Sequence, residues 1–545
     1  MPTLIRSIRP VGDRAVLVQL GGLTGVLALA EVLRERPLPG QLDVVAAAAT
    51  VLVTADTERA AGAFPALLRS LDLHSAATGA GGFDSSTLVT IDVVYDGEDL
   101  DEVGELTGLG RSGVIEAHTR QVWTAAFGGF APGFAYLAGD GSLLVPRRST
   151  PRPGVPAGAV ALADNFSAVY PRVTPGGWQL IGRTEAALWS IDRDPPALVQ
   201  PGDRVQFRAV PAFARSATVD AAGDQTKQPR EVVSGADSAA DLTVVQPGLQ
   251  TTVQDLGRPG LAHLGVTGSG ALDRGSLRRA NRLVGNQPSA AVLENALGGL
   301  VLDAHTDQVL AVAGASVLIT ISRADGADRV VATDAPFAVL AGERLSLAAP
   351  RTGVRSYVAV RGGLDVPPVL GSRSTDSMSG IGPAPLVVGS ALRVLPAPPT
   401  SVVGAAEQAP EPPAEVSVLR YVPGPRADWF TAGSLVAFNN TRWRVTLQSN
   451  RIGLRLDGPP LVRARTGELP SEGTVAGAVQ LPASGVPVLF LADHPVTGGY
   501  PVLGVVVQAD LDLAAQLGAG ARIRFTPVEI GCAPEPDPTV TPNES

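Results

Sequence analysis

Alternation of hydrophobic and polar positions predicts a small α+β unit at the start of the chain. The residues from Ala15 to Leu20 alternate as in a half-buried strand, and those from Val44 to Val53 form a β-rich apolar run. The stretches from Gly25 to Glu35 and from Glu58 to Leu71 are patterned as helices, although Pro65 would interrupt the second one. This part of the chain therefore predicts an N-terminal α+β domain.

The remainder of the chain is patterned as short strands. A strand starts at Thr87, a helical stretch follows near Arg111 to Thr119, and short β segments separated by Pro-Gly or Gly-Gly turns run to about Val210. Two further β regions extend from Leu242 to about Leu395 and from Val416 to Pro527. Many short strands at this spacing favour barrels or sandwiches over a doubly wound sheet, so the predicted fold class is mainly β with a small α+β N-terminal domain.

Breaks in this pattern predict the domain boundaries. Residues 76–86 are rich in Gly, Ser and Thr, residues 212–241 have no apolar period, and residues 396–414 are rich in proline. We therefore expect the following segments: an α+β domain at 1–82, a β domain at 83–212, a linker at 213–241, a β domain at 242–400, a second one at 415–530 and a disordered tail at 531–545.

Composition and charge limit the classes of partner. The chain has 43 basic and 52 acidic residues, for a net charge of −9, which argues against nucleic acid or an anionic membrane as a partner. No segment offers 18 uninterrupted apolar residues, and the first residues carry no apolar signal core. We expect a cytoplasmic protein.

Lysine is almost absent, which excludes several cofactor classes. Lys227 is the single lysine and lies in a polar stretch that is patterned as linker. A Walker A loop, a protein-kinase fold and a pyridoxal-phosphate enzyme each need a lysine in a structured site, and a biotin carrier needs one to modify. We therefore expect no covalently bound biotin, and any phosphate must be held by arginine and backbone N–H groups.

Cysteine and histidine give little sign of a metal or nucleophile site. Cys532 is the single cysteine and lies in the Pro-rich tail, so no disulfide framework is possible within one chain. The five histidines are scattered, and no two stand at metal-ligand spacing.

Three motif blocks carry the candidate chemistry. In the first, five arginines fall among rigid Gly/Pro turns and aromatic residues, and guanidinium forks suit a carboxylate or a phosphate; these are Arg147, Arg148, Arg152, Arg172 and Arg183. The alternative for each arginine is a position at a solvated strand edge, without a bound anion.

The second block places a polar set within apolar surroundings, namely Asp255, Arg258, Asp273, Asn281 and Glu294. Asp273 is equally explained as a helix cap, whereas a buried Glu294 would need a partner.

The third block runs from Ser449 to Pro501. It includes Asp493 next to His494, which could form an acid/base pair, although neighbours in a strand point to opposite faces. No Gly-x-Ser-x-Gly elbow and no persuasive nucleophile are present.

These three blocks, in this order, resemble the fused B-type and C-type subunits of ATP-dependent bacterial 5-oxoprolinase. The same families are also labelled allophanate hydrolase subunits 1 and 2, and they are similar to the carboxyltransferase region of urea carboxylase. The first block resembles the B type over roughly residues 4–210, and the other two resemble the C type over about residues 242–530. The resemblance implies cyclophilin-like β-barrels, one in the B-like part and two in the C-like part.

The resemblance also implies the activity and its participants. The B-type and C-type parts would use ATP, expected with Mg²⁺, to activate the lactam amide of 5-oxoproline, and a separate A-type subunit would complete ring opening to glutamate. Higher assembly is expected. The family pattern falls on catalytic candidates His118, Asp273, Glu294 and Asp493, and on binding candidates Arg147, Tyr170, Trp178, Arg183, Asp255, Arg258, Asn281, Ser471, Gln480 and Tyr500; Arg152 is a further binding candidate from the arginines of the first block.

The roles of these residues are hypotheses. Arg147, Arg152 and Arg183 would hold anionic groups, whereas Asp273, Glu294 and Asp493 would bind metal or act as acid and base. Two alternatives stay open. One is a carboxyltransferase that takes carboxybiotin from a separate carrier and carboxylates urea or another amide; the other is a regulatory module that binds a histidine kinase.

Overall fold

The computed structural model describes residues 4–73, 87–148, 150–213, 240–323, 325–465, 467 and 469–529. The predicted hinge, most of the predicted linker with Lys227, and the predicted tail with Cys532 lie outside these ranges. The described residues form four domains. We call residues 4–213 the first half and residues 240–529 the second half.

The N-terminal domain packs two helices on a four-stranded antiparallel sheet. Its strands are β1 (Ile5–Pro10), β2 (Ala15–Leu20), β3 (Gln41–Ala46) and β4 (Thr50–Ala55), in the order β1-β2-β4-β3. Its helices are α1 (Leu23–Glu35) and α2 (Glu58–Arg69). The apolar run expected as one β segment is thus the hairpin β3–β4. Pro65 lies inside α2, which continues through it, so the expected interruption was wrong.

The second domain of the first half, which we call the first-half sheet domain, is built on seven strands in the order β12-β9-β10-β7-β6-β13-β5. Its strands are β5 (Leu88–Val93), β6 (Trp123–Gly128), β7 (Ala135–Ala138), β8 (Arg152–Val155), β9 (Ala159–Ala163), β10 (Phe166–Val169), β11 (Thr174–Gly176), β12 (Gln179–Arg183) and β13 (Arg204–Ala209). Strands β8 and β11 form a separate pair. Helix α4 (Gly110–Arg120) matches the predicted one, whereas α3 (Leu100–Thr107) was not predicted.

The second half begins with a sandwich, residues 240–395, in which sheets of six and five strands enclose one apolar core. Its strands are β14 (Leu242–Pro247), β15 (Gln250–Gln254), β16 (Val292–Ala296), β17 (Leu300–Ala304), β18 (Gln308–Ser316), β19 (Ile319–Ser322), β20 (Asp328–Val331), β21 (Pro336–Val339), β22 (Arg344–Leu347), β23 (Thr352–Val360) and β24 (Ala391–Leu392). Helix α5 (Arg274–Leu283) lies on it, and Asp273 caps this helix by accepting a hydrogen bond from the N–H of Ser276 at 2.8 Å.

The last domain is a closed barrel with the strand order β25-β32-β29-β30-β27-β26-β33, which we call the second-half barrel. Its strands are β25 (Val416–Pro423), β26 (Trp443–Val445), β27 (Gly453–Asp457), β29 (Ala478–Gln480), β30 (Val488–Phe490), β32 (Val502–Val506) and β33 (Arg522–Pro527), with the separate pair β28 (Glu472–Gly473) and β31 (Thr497–Gly498). Two helices, α6 (Ala432–Asn440) and α7 (Gln508–Ala515), lie where only strands were expected.

The two halves share an apolar core. Val11, Leu17 and Leu52 of the N-terminal domain form one buried cluster with Val502 and Val505 of the second-half barrel. Such burial removes apolar surface from water, which is the main favourable contribution to association of domains. The first and last domains of the chain are therefore in direct contact, and this contact orients the surfaces that carry the candidate site.

Candidate functional site

Backbone segments of the two halves approach closely at one edge of the first-half sheet domain. A Cβ atom added to Gly128 would collide with the backbone carbonyl oxygen of His263, and one added to Gly129 would lie 2.7 Å from the side chain of Thr497. Glycines at these positions allow an approach that no other residue would permit. The Gly/Pro-rich motifs of both halves meet at this junction, and we call the junction the cleft between the halves.

The first-half wall of this cleft is an aromatic cluster. The Phe127 and Tyr136 rings stack with centroids 4.4 Å apart, and Phe134 makes edge contacts with Tyr136, Tyr170 and Trp178 at 5.1–5.7 Å. Burial raises the pKa of the Tyr170 hydroxyl well above its ordinary value, so this phenol stays neutral. These rings are buried and pack against one another, so they form a rigid core that supports the first-half side of the cleft.

Two side chains of the first half reach the second-half barrel across the cleft. The Tyr136 hydroxyl lies 3.2 Å from the Ser471 hydroxyl. A Cβ atom built on Gly499 would lie 3.7 Å from a terminal nitrogen of Arg147, and the Nε of the same guanidinium lies 3.6 Å from the Asp164 carboxylate. The Arg147 side chain is only 23% exposed. The cleft therefore contains a guanidinium next to a glycine-rich loop.

The second-half wall is held by its own hydrogen bonds. The Gln480 amide donates to the Tyr500 carbonyl at 3.1 Å, and the Arg463 guanidinium lies over the Tyr500 ring at 5.7 Å. Next to Ser471, Glu472 pairs with Arg426 in buried surroundings. The sequence candidates that meet at this cleft are Arg147, Tyr170, Trp178, Ser471, Gln480 and Tyr500.

Glu294 and Asp493 instead belong to a buried ionic network between the sandwich and the second-half barrel. Arg451 donates to both oxygens of Asp493 at 2.9 and 3.0 Å and to Glu294 at 2.5 Å. The Tyr357 hydroxyl donates to Glu294 at 2.9 Å. Burial opposes ionisation of Asp493, but the Arg451 charge and the hydrogen bonds from Arg451, Ser377 and Ser269 together outweigh burial and lower the pKa of this carboxyl. Both carboxylates are saturated by partners.

Four further sequence candidates make hydrogen bonds that stabilise the sandwich. Asp255 accepts hydrogen bonds from the hydroxyls of Ser372 and Ser374, and the buried Arg258 guanidinium donates to backbone carbonyls. Asn281 donates to the Ala290 carbonyl at 2.8 Å. Asp273, besides capping α5, accepts a bond from the Gln516 amide at 2.7 Å.

His118, Arg152 and Arg183 have partners within the first-half sheet domain. His118 is fully buried between Tyr95 and Ser167, at 2.6 and 2.9 Å, and burial lowers the pKa of its imidazole to about 3. Arg152 pairs with Asp99 at 2.8 Å, and Arg183 pairs with Asp96 at 2.9 Å on the exposed surface. A histidine that stays neutral throughout the physiological range is a poor proton carrier.

Asp493 and His494 are not partners. The His494 Nδ1 donates to the Pro495 carbonyl at 2.8 Å, whereas the Asp493 carboxylate is bound by Arg451, Ser269 and Ser377. The acid/base pair considered from the sequence is therefore absent from this geometry. Arg451 lies in the third motif block but was not selected, because its partners are 42 and 157 positions away in the chain.

Asp376 lies next to the network, and its raised pKa predicts that the stability of the folded protein depends on pH. Burial and the charge of Asp493 raise the pKa of Asp376 to about 6, above its ordinary value of 3.8. The folded state then holds this proton more tightly than the unfolded state, so ionisation costs stability progressively as the pH rises from about 4 to about 6, at about 1.4 kcal/mol per pKa unit.

We expect Asp376→Asn to raise the unfolding temperature at pH 7.5 and to change it little at pH 4. Thermal unfolding followed by circular dichroism at both pH values measures this, with Asp457→Asn on the exposed surface as the control. An equal effect of Asp376→Asn at both pH values would contradict the assigned ionisation.

The described residues contain no group of three or more His, Cys, Asp or Glu side chains that could hold a metal ion. Glu294 and Asp493 are occupied by Arg451, and Asp273 by its cap and by Gln516. The residues present at these positions therefore do not fit a Mg²⁺ site. Among the same ranges, no helix is long and apolar enough to cross a membrane.

Comparison with known proteins assigns the two halves to two family models. Residues 6–199 match subdomains C and D of the carboxyltransferase domain, and residues 264–527 match its subdomains A and B. The crystal structure of TTHA0988 superposes with a TM-score of 0.81 at 36% identity, over 94% of this chain and 99% of that one.

Curated relatives match each half separately. The C-type 5-oxoprolinase subunit of Escherichia coli is 39% identical over 52% of this chain and 90% of its own length. The B-type subunit of Bacillus subtilis is 34% identical over 38% of this chain and 93% of its own length. The urea amidolyase of Lachancea kluyveri is 33% identical over 52% of this chain, but only 17% of that protein is covered.

The chain belongs to the carboxyltransferase-domain family that includes the B-type and C-type subunits of 5-oxoprolinase, and it carries both parts in one polypeptide. The family and the mainly β fold predicted from the three motif blocks are confirmed. The individual site residues and domain limits stay predictions, and the cleft is the place where most of the binding candidates from the first and third blocks converge.

Proposed function

We propose that this chain is a component of an ATP-dependent 5-oxoprolinase, in which it activates the lactam amide of 5-oxoproline by phosphorylation. A separate A-type subunit would complete ring opening to glutamate. The observation that carries the proposal is the cleft, where Arg147, the aromatic cluster and the Gly499 loop come from a half that is similar to B-type subunits and a half that is similar to C-type subunits. A site shared by the two halves explains why both would be needed in one complex.

The chemistry follows from the resistance of an unstrained lactam to water. The lactam oxygen attacks the γ-phosphorus of ATP, the bond from that phosphorus to the bridging oxygen breaks, and ADP leaves. Water then adds to the activated carbon, and the ring carbon–nitrogen bond breaks as the nitrogen takes a proton. A second water displaces phosphate from the resulting acyl phosphate. The sum is 5-oxoproline, ATP and two waters to glutamate, ADP and phosphate.

Arg147 is the residue to which we assign the electrostatic part of this step. Its half-buried guanidinium would donate to the transferred phosphoryl group, where negative charge is spread over three oxygens. Because the single lysine, Lys227, lies in the stretch patterned as linker, we assign no lysine to this step. Among the described residues we assign Mg²⁺ no ligand.

Arg147→Gln should lower the rate of 5-oxoproline-dependent ADP formation by about 100-fold or more, the usual loss when one charge-stabilising donor is removed. Arg183→Gln is the matched control: it removes another arginine of the same motif, one whose exposed pair with Asp96 contributes little. The assay mixes the purified chain with an A-type 5-oxoprolinase subunit, 5-oxoproline and ATP. Equal rates for the Arg147 variant and the unaltered chain would exclude this role.

A second candidate is a carboxyltransferase acting on urea or another amide. It is favoured by the family models and by the urea amidolyase match, which both concern carboxyltransferase regions. Because the single lysine lies in a polar stretch without a biotin-acceptor motif, a separate biotinyl carrier would be required. Amide-dependent loss of carboxybiotin, without ATP in the mixture, would support this function over the first.

Failure of both assays would favour the regulatory alternative, in which the chain binds a histidine kinase. Cytoplasmic location and higher assembly belong to the first proposal as predictions. Size-exclusion chromatography with light scattering, with and without the A-type partner, measures the assembly directly.

A further inference from the structure

A cavity of about 110 Å³ lies between the sandwich and the second-half barrel. Its polar lining comes from Thr267, Ser269, Arg274, His494 and Gln508, and its apolar lining includes Leu272, Leu491 and Leu511. A water molecule requires about 10–15 Å³ of such space, so the cavity has room for a small organic molecule of several non-hydrogen atoms.

Arg274 contributes the positive charge of this lining. Its guanidinium donates a long hydrogen bond of 3.4 Å to the Ser269 carbonyl, and no carboxylate of the described ranges forms an ion pair with it. Asp512, the acid whose charge acts most strongly on Arg274, uses its two oxygens to accept the backbone N–H groups of Arg274 and Gly275, at 2.9 and 3.1 Å. Most of the five donors of this partly buried guanidinium are therefore available to water or to an anionic ligand.

Two neutral polar side chains stand on the same wall. Because Nδ1 of His494 donates its proton to the Pro495 carbonyl and burial lowers the pKa of this imidazole, its Nε2 carries no proton and is a hydrogen-bond acceptor. The side-chain amide of Gln508 makes no hydrogen bond to any other described residue, while its backbone N–H bonds Asp13. The rest of the lining offers carbon surface. One positive charge, few neutral polar groups and apolar walls suit a singly charged head group on a short hydrocarbon body.

We propose that this cavity is a binding site for a small monocarboxylate, with the Arg274 fork holding the carboxylate and Leu272, Leu491 and Leu511 enclosing the hydrocarbon part. A planar carboxylate matches the guanidinium in a bidentate arrangement. A doubly charged phosphate would leave one charge unmatched in a partly apolar space, at a high desolvation cost. The proposal goes beyond the catalytic one, because it concerns binding by this chain without ATP or a partner.

Propionate and propionamide are the probes, since they differ in the charge of the head group and share the hydrocarbon part. Saturation-transfer NMR on the intact chain should detect propionate and give at least tenfold weaker binding for propionamide. Arg274→Gln should weaken propionate binding at least tenfold. Arg278→Gln is the matched control, because Arg278 is exposed on the same helix one turn further on, and it should bind as the unaltered chain does.

A second variant tests the site independently, in case Arg274→Gln does not fold. Ala476→Leu fills the cavity and leaves Arg274 in place, so it should abolish propionate binding while the circular dichroism spectrum stays unchanged. The site would be overturned if the unaltered chain bound no propionate at probe concentrations up to about 10 mM, which is ten times a dissociation constant that corresponds to about −4 kcal/mol. It would also be overturned if propionamide bound as tightly as propionate, or if Arg274→Gln bound propionate as tightly as the unaltered chain. None of these outcomes depends on 5-oxoproline-dependent ATP hydrolysis, which fails or succeeds separately.

Discussion

Arg451→Met should destabilise the second half by about 3–5 kcal/mol, the usual cost of removing one partner from a buried ion pair. Arg451 is 2% exposed, and it is the cation that both Glu294 and Asp493 contact at 2.5 and 2.9 Å. Its removal leaves Asp493 with hydroxyl and N–H partners only, while Glu294 keeps a longer ion pair with Arg355 at 3.6 Å. Coulomb repulsion between the two carboxylates then adds to the lost pairing.

Thermal unfolding of the intact chain measures this effect. Arg451→Met should lower the transition of the second half by roughly 10 °C, since 1 kcal/mol shifts a domain of this size by about 2–4 °C. Arg444→Met is the control, because its pair with Asp457 is exposed on both sides and should contribute less than about 1 kcal/mol. An equally small shift for both variants would show that the network does not hold the sandwich to the barrel.

Acidification provides an independent check on the same network. The Arg451 charge lowers the pKa of Asp493 in the folded state. Ionised Asp493 therefore contributes stability at pH values above its pKa in the unfolded state, and this contribution is lost as the pH falls through its pKa in the folded state. In Arg451→Met that contribution is gone. The loss of stability on acidification should therefore be smaller in the variant than in the unaltered chain.

The sequence predicts the class of fold well because its signals are local. Gly/Pro turns between short apolar runs mark the strands, and the polar break before Leu242 separates the halves. Helices α3, α6 and α7 were missed because they are 8 or 9 residues long, too short for a hydrophobic period to stand out. Closure of the second-half barrel depends on the pairing of β25 with β33, strands from opposite ends of this domain, which no local pattern records.

The candidate site is only partly visible in the sequence for a related reason. Arg147 and Arg183 occur in similar Pro/Gly-rich surroundings, and the fold separates them: Arg147, besides its ion pair with Asp164, reaches Gly499 of the other half, whereas Arg183 pairs with Asp96 of its own domain. Arg451 is likewise distinguished by carboxylates that are distant in the sequence, and Arg274 by the absence of a carboxylate partner among the described residues. The number of charged side chains can be counted from the sequence, but which of them are paired with an opposite charge depends on tertiary contacts.

Gly128→Ala should separate the two halves at the cleft and abolish most of the activity. The added methyl group would collide with the backbone carbonyl oxygen of His263, which belongs to a short turn of the second half and has no flexible side chain to move aside. Overpacking of this kind costs about 1–3 kcal/mol. The turn or the end of β6 must shift, and displacement of about 1 Å in a catalytic site can cost about 100-fold in rate.

Hydrogen exchange localises this effect. Amides of Trp123–Gly128 and of residues 260–265 should exchange faster in Gly128→Ala, while those of β1–β4 keep their protection. Gly62→Ala is the matched control: the same substitution in α2, where no atom lies within 4 Å of the new methyl group, should be neutral or stabilise the helix by up to about 1 kcal/mol. If Gly128→Ala retained both the exchange pattern and the rate of ADP formation, the close approach of the halves at His263 would have no part in shaping the site.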